Sequence, residues 1–560
     1  MARSRDALRG AISAQPLLPL WMSHLWQRLH EHDRLGLILG AGVSYDAGCP
    51  LWTELIKQLS RRVARGQGAA LRAHRRSGLP ETYLTQILYL LHGEKMMARS
   101  RAPTDLLRFH VRSTWMDVVH KLLYKTNERL SFVDISARHP YLSELGELVC
   151  RSGFVVNFNF DDIVDEAAIR HAEAAIPDPL PLPEVIWRPK VDTRRDAAVI
   201  YHINGFLPRE RKRRRSDSLI FTEEAFADVL ISRDSLHAEF TMSKFGNTTF
   251  LILGTSLTDN SLKSMLRAGI QRNAANHHYI VYWEDTTKPR STDEKRHIFN
   301  VNLEVYNLIS IFLDTEGISE FLRILNQPQD EFVSQLAHYG VTGDTLRRRY
   351  YLVGSIASGK SSNLEALRCF TTYEEWSKLP PAIMYQDFKT LTPEENAEVN
   401  AWIYGQLRDK NQKMQNSSIG ISVMDRGFFD LFAFSKTDPE RLQKADDLAT
   451  QVVDVGGRPL TRGHVWFLEA DASSYRDRLA RRGVISTFAN RGYRPEQLVE
   501  QSAVLRSIYK PLDETVVNTG ESPCDVTSRK IARDILLGSY APFDFTGRLR
   551  SIRRAGGNLG

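Results

Sequence analysis

Two glycine-rich segments, far apart in a chain of 560 residues, have the composition of phosphate-binding turns. The first, at residues 40–44, reads GAGVS and follows the apolar run Leu35–Leu39. The second, at residues 354–361, reads GSIASGKS and fits the pattern GxxxxGK[ST] fully. In that pattern backbone amides cradle phosphates, the lysine reaches the outer phosphates and the last hydroxyl ligates magnesium. The sequence therefore predicts two sites for phosphate-bearing ligands.

Three further apolar runs in the N-terminal half end in polar residues that could contact a ligand. The run 154–156 is followed by NFNFDD, which contains Asn159 and Asp161. The run 199–201 is followed by His202 and Asn204, and the run 250–253 leads into GTSLTDN, which begins at Gly254. A GxG turn alone is a weak signal of function, so the meaning of the first glycine-rich segment depends on these neighbours.

These four segments, in this order, resemble the NAD-binding motifs of sirtuin-like proteins. The resemblance implies a Rossmann-like domain with NAD as its substrate. It implies that the following residues contact NAD: Gly40, Ala41, Gly42, Val43, Ser44, Pro50, Trp52, Asn204, Gly254, Ser256 and Asp259.

The cysteine content and the segment between the first two motifs indicate which branch of the family the chain resembles. The zinc-binding cysteine quartet of the sirtuin protein deacylases is missing, and the four cysteines include no CxxC pair. A helix-rich insert at about residues 54–147 differs from the compact zinc module of those enzymes. The chain is closer to the bacterial sirtuin-like effectors that hydrolyse NAD in antiphage defence. The resemblance implies an NAD glycohydrolase without zinc, a homo-oligomer and a phage-derived trigger.

Asn159 and Asp161 are the first candidate catalytic residues. Cleavage of the nicotinamide–ribose bond develops an oxocarbenium ion, so the site needs a polar group that orients the sugar and positions water. The carboxamide of Asn159 suits this role, because it donates and accepts hydrogen bonds without carrying charge. Asp161 either binds the substrate or caps the following helix.

His202 is the third candidate. The family commonly has histidine directly before the glycine of this segment, where this chain has Asn204. His202 stands two positions earlier, on the same face of the strand if the strand continues that far. Either His202 supplies the imidazole, or Asn204 replaces it and activity is weakened; a histidine on a strand is also commonly structural. We expect Asn159→Ala to abolish NAD loss and His202→Ala to reduce it severely.

The C-terminal half resembles the deoxynucleoside and thymidylate kinase group. The run 419–424 ends in Asp425 and Arg426, which in that group face the acceptor nucleotide and the metal. Arginines at 476, 478, 481 and 482 resemble the lid that clamps the transferred phosphoryl group, although an exposed helix face is the alternative. We expect ATP or another nucleotide with magnesium here, with Ser361 and Asp425 as candidate metal ligands. The candidate nucleotide contacts are Gly354, Gly359, Lys360, Ser361, Ser362, Asp425, Arg426, Arg478 and Arg482.

The elements that position these residues predict an α/β protein with two doubly wound parallel-sheet domains. Short runs that are apolar on both faces are typical of a parallel sheet. Each glycine-rich segment follows such a run and is expected to end at a helix start. We predict a sirtuin-like domain at 1–335, a linker at 336–348 and a P-loop kinase-like domain at 349–560.

Composition excludes several classes of protein. The formal net charge of +7 is spread over both halves, so we expect no nucleic-acid partner. The basic run at 211–215 is interpreted as a solvated loop, because five like charges repel one another. No run of about 18 apolar residues occurs, so no membrane partner is expected. The unpaired cysteines and the lack of a signal peptide predict a reducing, cytoplasmic location.

The sequence supports three functional hypotheses. The first is an NAD glycohydrolase that is controlled by a nucleotide-binding kinase-like domain. The second is a nucleoside or nucleotide kinase whose sirtuin-like module senses NAD or ADP-ribose without cleaving it, which the Asn204 departure favours. The third is a nucleic-acid binder that uses residues 211–215, which strongly salt-dependent DNA binding would revive.

Overall fold

A computed structural model describes residues 2–30, 35–64, 78, 80–98, 104–175, 180–188, 196–231, 236, 244–386, 391–483, 493–510 and 515–558. The chain forms two compact units. Unit 1 comprises Met1–Leu18, Arg28–Arg272 and His277–Gln335, and unit 2 comprises Pro19–Gln27, Asn273–Asn276 and Leu336–Gly560. The protein is α/β, as the sequence predicts, with one all-parallel sheet of seven strands and one of five.

The sheet of unit 1 has the strand order β3-β4-β2-β1-β5-β6-β7. Every pair of neighbours is parallel. Because the chain leaves β1 for β2 on one side and later adds β5 on the other, the carboxyl end of β1 is a topological switch point, where such sheets bind ligands. The strands are β1 Leu35–Leu39, β2 Phe154–Asn157, β3 Glu184–Ile186, β4 Val199–His202, β5 Thr249–Leu253, β6 His278–Trp283 and β7 Leu308–Leu313.

Helices cover both faces of this sheet, which explains why β1, β5 and β7 are buried along their whole length. Those between β1 and β2 share a core with the segments after β2 and β4, and in it Leu59 of one helix joins Leu88 and Val119 of the next two. Up to residue 337 the helices are Ala2–Ala14, Leu18–His30, Trp52–Val63, Glu81–Met97, Thr104–Leu123, Phe132–Arg138, Leu142–Ser152, Ile163–Ala174, Glu223–Ile231, Asn260–Arg272, Thr292–Tyr306, Thr315–Leu325 and Gln329–Ala337.

The glycine-rich turn after β1 differs from the helix start that the sequence predicts. Residues Ala41–Ser44 form one turn of 3-10 helix, and the next α-helix begins only at Trp52. The reason lies in the neighbouring turn after β5: Gly40 N donates to Leu253 O at 2.9 Å, and Gly42 N donates to Gly254 O at 2.8 Å. Contact with this neighbouring turn shapes the backbone after β1.

The sheet of unit 2 has the order β12-β11-β8-β10-β9, again with every pair parallel. Here the α-helix does begin inside the glycine-rich segment, at Lys360. The strands are β8 Arg347–Val353, β9 Thr371–Tyr373, β10 Gly420–Asp425, β11 His464–Glu469 and β12 Val516–Asn518. The helices are Gly343–Leu346, Lys360–Ala366, Pro393–Gln415, Asp438–Leu448, Ala472–Gly483, Pro495–Tyr509, Cys524–Leu537 and Phe545–Arg554, with 3-10 turns at Ala382–Tyr385 and Asp430–Phe434 and a π-helical turn at Ala449–Asp454.

Residues 336–348, for which the sequence predicts a linker, carry regular structure. They contain the end of helix Gln329–Ala337, the short helix Gly343–Leu346 and the first two residues of β8. In the part of the chain that the structure describes, no helix has both the length and the apolar character to cross a membrane.

Candidate functional site

The polar segments that follow β1, β2, β4 and β5 lie at one edge of the sheet of unit 1. The parallel register pairs Leu39 with Asn157 on one side and with Leu253 on the other. Asn157 in turn pairs with His202. The four segments singled out in the sequence therefore come together at the carboxyl ends of adjacent strands.

Three glycines allow the turns after β1 and β5 to touch. A Cβ atom on Gly40 would lie 2.6 Å from Gly254 O, and one on Gly42 would lie 2.9 Å from Gly254 Cα. Gly254 has φ +70, and a Cβ there would lie 2.5 Å from Val43 N. Real Cβ atoms do not approach this closely, so these positions require glycine before any ligand is considered.

Asn159, Ser44 and Asp161 form a hydrogen-bonded chain beside these turns. Asn159 Nδ2 donates to Gly40 O at 2.9 Å and approaches Ser44 Oγ at 3.5 Å. Ser44 Oγ donates to Asp161 Oδ1 at 2.8 Å. The bond to Gly40 fixes the amide, and Asn159 Oδ1 accepts no hydrogen bond from any described residue. This oxygen can therefore accept a hydrogen bond from a ligand.

Asp161 is buried, and burial raises the pKa of its carboxyl group above the usual range, against the lowering effect of its hydrogen bonds from Ser44 and Ile163. Its Oδ1 atom accepts from Ile163 N at 3.2 Å, at the first residue of helix Ile163–Ala174. The carboxylate thus interacts with the helix start, as one of the two sequence hypotheses expects. Its Oδ2 atom has no hydrogen bond within the described residues and leaves the other hypothesis open.

His202 has both ring nitrogens engaged. Nδ1 lies 2.9 Å from Asn159 O, and Nε2 lies 2.8 Å from Asp165 Oδ1. Both side chains are buried, His202 at 0% and Asp165 at 1% exposure. Burial alone lowers the pKa of His202, but the Asp165 carboxylate and both hydrogen bonds outweigh it and raise the pKa. The ring therefore holds the backbone of Asn159 and has no nitrogen left for a ligand in this arrangement.

Asn204 is also turned towards the protein. Its Nδ2 atom donates to Phe158 O at 3.1 Å, while its Oδ1 atom is buried without a partner. Asn157 Nδ2 and Asp165 Oδ2 are likewise buried and unpaired. Buried polar atoms without partners are costly, so their grouping at the strand ends is typical of a site that binds water or a ligand.

Residues 153–306 match the family model of the SIR2-like domain. The match contains Asn159, Asp161, His202 and Gly254, whereas the turn after β1 precedes it. A SIR2-like domain supports a sirtuin-like, NAD-related function and implies NAD binding. Comparison with curated proteins finds no match to the chain.

Four more residues of unit 1 that the sequence assigns to NAD binding precede the matched range. Ala41 and Val43 belong to the 3-10 turn, and Pro50 is half-buried just before helix Trp52–Val63. The Trp52 ring packs 5.8 Å from that of Phe160, inside the core of the helical insert. The structure thus places Trp52 as a packing residue between the insert and the segment after β2.

The polar residues of the segment after β5, which begins at Gly254, form hydrogen bonds with their own neighbours in the sequence. Asp259 Oδ1 accepts from Ser261 N at 2.7 Å and Leu262 N at 3.2 Å, at the start of helix Asn260–Arg272. Ser256 Oγ lies 3.2 Å from Thr258 Oγ1 and is exposed. Asp259, for which the sequence predicts a contact with NAD, therefore caps a helix through its Oδ1 atom.

Asp165, His139 and Tyr124 are site residues that sequence reasoning missed. His139 Nε2 lies 2.7 Å from Val43 O, and Tyr124 donates to Leu207 O at 2.7 Å and to Asp162 Oδ1 at 3.1 Å. Burial raises the pKa of Asp162 to about 6, against the lowering effect of the hydrogen bond from the Arg209 backbone N–H. Of these three residues, only Asp165 could have been found from the sequence, because it is a carboxylate on an otherwise apolar helix face.

The basic run at 211–215 faces carboxylates of the same unit. Arg215 lies 2.8 Å from Asp117, and Arg213 lies 3.5 Å from Glu166 and 3.8 Å from Asp162. These arginines belong to the turn region after β4, as the loop interpretation expects.

The glycine-rich loop of unit 2 wraps around the ammonium group of Lys360. Lys360 Nζ donates to Gly354 O at 2.8 Å and to Ser355 O at 2.7 Å. Burial is the main reason why the pKa of Lys360 is lowered to about 8. Gly354 and Gly359 have φ +145 and +95, and a Cβ on Gly354 would lie 2.2 Å from Leu468 O. The loop geometry therefore depends on both glycines.

Asp425 and Ser361 meet beside this loop. Ser361 Oγ donates to Asp425 Oδ2 at 3.3 Å, and Asp425 Oδ1 is buried without a partner. A carboxylate and a hydroxyl are oxygen ligands of the kind magnesium prefers, so these two residues fit the metal that the sequence predicts. Among the described side chains, no group of three or more His, Cys, Asp or Glu is placed to hold a metal.

Of the three arginines that the sequence assigns to nucleotide binding, Arg426 follows β10, and Arg478 and Arg482 lie on helix Ala472–Gly483. Arg426 has φ 64 and forms an ion pair of 2.8 Å with Glu375. Arg478 donates to Ala357 O at 2.9 Å and to Thr519 Oγ1 at 3.0 Å, so it touches the loop from the side of β12. Ser362 is exposed in the first turn of its helix. Arg482 stands near the end of helix Ala472–Gly483, and its side chain lies outside the described residues.

Proposed function

We propose that the SIR2-like domain binds NAD at the carboxyl edge of β1, β2, β4 and β5 and hydrolyses its nicotinamide–ribose bond. The observation that carries the proposal is the fixed amide of Asn159. Its Nδ2 atom is held by Gly40 O and lies 3.5 Å from Ser44 Oγ, which leaves the Oδ1 atom without a partner among the described residues. An amide fixed in this way can orient a ribose hydroxyl or a water molecule without adding charge.

In the proposed reaction the bond between ribose C1′ and nicotinamide N1 breaks, and its electron pair leaves with neutral nicotinamide. Positive charge develops on the sugar, and the oxygen of water forms the new bond to C1′. Asn159 orients the ribose and the water. Asp161, linked to Asn159 through Ser44, accepts the proton of the attacking water; its raised pKa makes it a better base than an ordinary carboxylate. The products are nicotinamide and ADP-ribose.

His202 acts in this proposal as a positioning residue. Its two nitrogens bind the Asn159 carbonyl and the Asp165 carboxylate, so its contribution is to hold the segment after β2 in place. This changes the role given to His202 by the resemblance, in which the histidine acts on the substrate. The severe loss of activity expected from His202→Ala is then a consequence of a displaced Asn159.

For unit 2 we propose a nucleotide site at residues 354–361. The loop amides hold phosphates, Lys360 contacts the outer phosphates, and Ser361 with Asp425 holds magnesium, which neutralises phosphate charge when bound. In the whole protein, nucleotide occupancy of this site controls NAD cleavage in a homo-oligomeric antiphage effector that responds to a phage-derived trigger. The fusion of the two sites in one chain motivates this last step.

A second candidate function has one observation in its favour. Both nitrogens of His202 are occupied and Asn204 bonds to Phe158 O, so His202 in this arrangement offers no ring nitrogen to a substrate. A module that binds NAD or ADP-ribose without cleaving it, attached to a nucleoside or nucleotide kinase, fits that observation. Nicotinamide release separates the two functions.

The test replaces Asn159 and measures NAD turnover by chromatography. We expect Asn159→Ala to lower the rate at least a hundredfold, since it removes the only group assigned to orient both sugar and water. Asn300→Ala, at an exposed site on helix Thr292–Tyr306, is the matched control and should keep the parental rate. Equal rates in the parent and Asn159→Ala proteins would refute the assignment.

A further inference from the structure

A cavity of ≈ 210 Å³ lies at the carboxyl end of β9 and β10 in unit 2. One wall is the segment after β9, with Glu374, Glu375 and Trp376, and the other is helix Pro393–Gln415. Pockets for whole drug-sized ligands are about 300–1,000 Å³, so this cavity encloses a small molecule or part of one. The lining includes none of the residues to which the sequence assigns a catalytic or binding role.

Helix Pro393–Gln415 presents three hydrogen-bond donors to the cavity, at Gln406, Lys410 and Lys413. Their spacing of four and three residues places them on one helix face. Gln406 Oε1 is already used, because it accepts from Ser377 N at 3.0 Å and Ser377 Oγ at 2.9 Å. The amide Nε2 of Gln406 is therefore the group that remains to face a ligand.

Lys410 is 7% exposed, and its Nζ atom donates to Asp425 O at 2.6 Å. This is its one hydrogen bond to the described residues, which leaves two N–H donors of a buried ammonium without partners. A buried charge of this kind is costly unless something pairs with it. The cavity that Lys410 lines is the space in which that partner would lie.

The charges around the cavity favour an anion as this partner. Glu375 is paired with Arg426 at 2.8 Å, and Glu374 lies 3.6 Å from Arg368. Neither Lys410 nor Lys413 forms an ion pair with a described side chain. The two glutamates of the lining are thus paired with arginines, and the Asp425 carboxylate is the acidic group with the largest electrostatic effect on Lys410.

The rest of the lining is aromatic or apolar. Tyr373, Trp376 and Met424 contribute to it, and the Trp376 ring is packed 5.0 Å from that of Trp402 on the same helix as the lysines. Aromatic faces stack on heterocyclic bases, and such contacts tolerate different bases. The lining therefore combines a cationic part with an aromatic part.

The cavity adjoins the glycine-rich loop through Asp425. Lys410 binds the backbone oxygen of Asp425, and the Asp425 side chain accepts from Ser361 at 3.3 Å. Lys410 therefore contacts one of the two residues proposed above as magnesium ligands.

We propose that this cavity binds a nucleoside monophosphate, with the phosphate on Lys410 and Lys413 and the base against Trp376 and Tyr373. The proposal rests on the nucleotide site proposed for residues 354–361 and names a second ligand for it. It distinguishes a phosphorylated ligand from a free nucleoside, which the sequence left open.

The test is isothermal titration calorimetry of the full chain with AMP, GMP, CMP and dTMP, with the four matching nucleosides, and with inorganic phosphate. We expect at least one monophosphate to bind tenfold or more tightly than its nucleoside and than phosphate. Lys410→Met and Lys413→Met should each weaken that monophosphate at least tenfold. Lys530→Met, at an exposed site on helix Cys524–Leu537, should leave it unchanged.

Thermal melting of each variant separates lost binding from lost folding, and Lys413 is exposed, so its replacement should fold normally. Equal binding of nucleoside and monophosphate, unchanged binding in the Lys413→Met protein, or no binding of any monophosphate overturns the proposal. Magnesium-ATP is titrated separately into parent and Lys360→Met proteins. If ATP binds in a manner that depends on Lys360 but no monophosphate binds, only the proposal for the cavity is refuted. If a monophosphate binds but ATP does not, the nucleotide site proposed for residues 354–361 is refuted.

Discussion

The contact between His202 and Asp165 determines what the imidazole can do. The Asn159 carbonyl and the Asp165 carboxylate both accept hydrogen bonds, so both ring nitrogens of His202 donate, and the ring is then an imidazolium ion. The raised pKa of His202 agrees with this assignment. A protonated ring without a free nitrogen cannot act as a general base, but it can hold the chain beside it.

Asp165→Asn tests this contact through stability. Removing one partner of a buried ion pair costs about 3–5 kcal/mol, so we expect a loss of that size in the free energy of unfolding at pH 6. Because the folded-state pKa of His202 is raised, the stability it contributes is complete below its unfolded pKa of about 6.5 and is lost as pH rises through the folded value. The difference between parent and variant should therefore shrink at alkaline pH.

Urea denaturation between pH 5 and pH 9 measures this difference. Asp293→Asn is the control, because Asp293 is 72% exposed and its ion pair within the described part of the chain is with Arg296 on its own helix. A difference that stays constant over the whole range would contradict the imidazolium assignment. As a positioning residue, Asp165 should also affect kcat for NAD more than KM.

At the scale of elements, the site depends on the contact between the turns after β1 and β5. We expect Gly254→Ala to separate them, because the added Cβ would overlap Val43 N and the backbone at φ +70 is unfavourable for alanine. NAD binding should fall at least tenfold, and the melting temperature should fall with it.

Gly10→Ala is the matched control for that change. Gly10 lies inside helix Ala2–Ala14 with open space around it, so alanine should stabilise the helix by about 0.5–1 kcal/mol. Calorimetric titration with NAD and thermal melting compare the two variants. An unchanged NAD affinity in Gly254→Ala would show that the two turns need not touch for binding.

The strands with continuous apolar runs could be predicted from the sequence, and those with three residues could not. The run 250–253 lies in β5 and the run 154–156 in β2, each extended by one residue. By contrast, β3, β9 and β12 have only three residues each, too few to show a period. Their place in the sheets is determined by pairing with neighbours, which local sequence does not encode.

The candidate site divides in a similar way. Gly254 could be located because it directly follows the run 250–253, and Asn159 and Asp161 because they lie in the segment after the run 154–156. Asp165 could not be linked to His202, because the two are 37 positions apart and meet only when helix Ile163–Ala174 packs against β4. The capping role of Asp259 depends on where helix Asn260–Arg272 begins, a boundary that sequence patterns locate poorly.

At the scale of the whole molecule, the proposal makes one site control the other. Control of this kind requires that a nucleotide bind two states of the protein with different affinity. We expect the rate of NAD cleavage to change at least fivefold when ATP or one of the deoxynucleoside triphosphates is added with magnesium. Lys360→Met should remove the change and leave the basal rate, and a parent rate indifferent to every nucleotide would refute the coupling.

The central claim is that the SIR2-like domain cleaves NAD. The most direct measurement incubates the purified full chain with NAD, with and without nucleotides, and quantifies nicotinamide and ADP-ribose over time. We expect both products to accumulate in equal amounts with the parent protein and neither to form with Asn159→Ala. NAD that binds to the parent protein and stays intact under every nucleotide condition would contradict it and favour the sensing module.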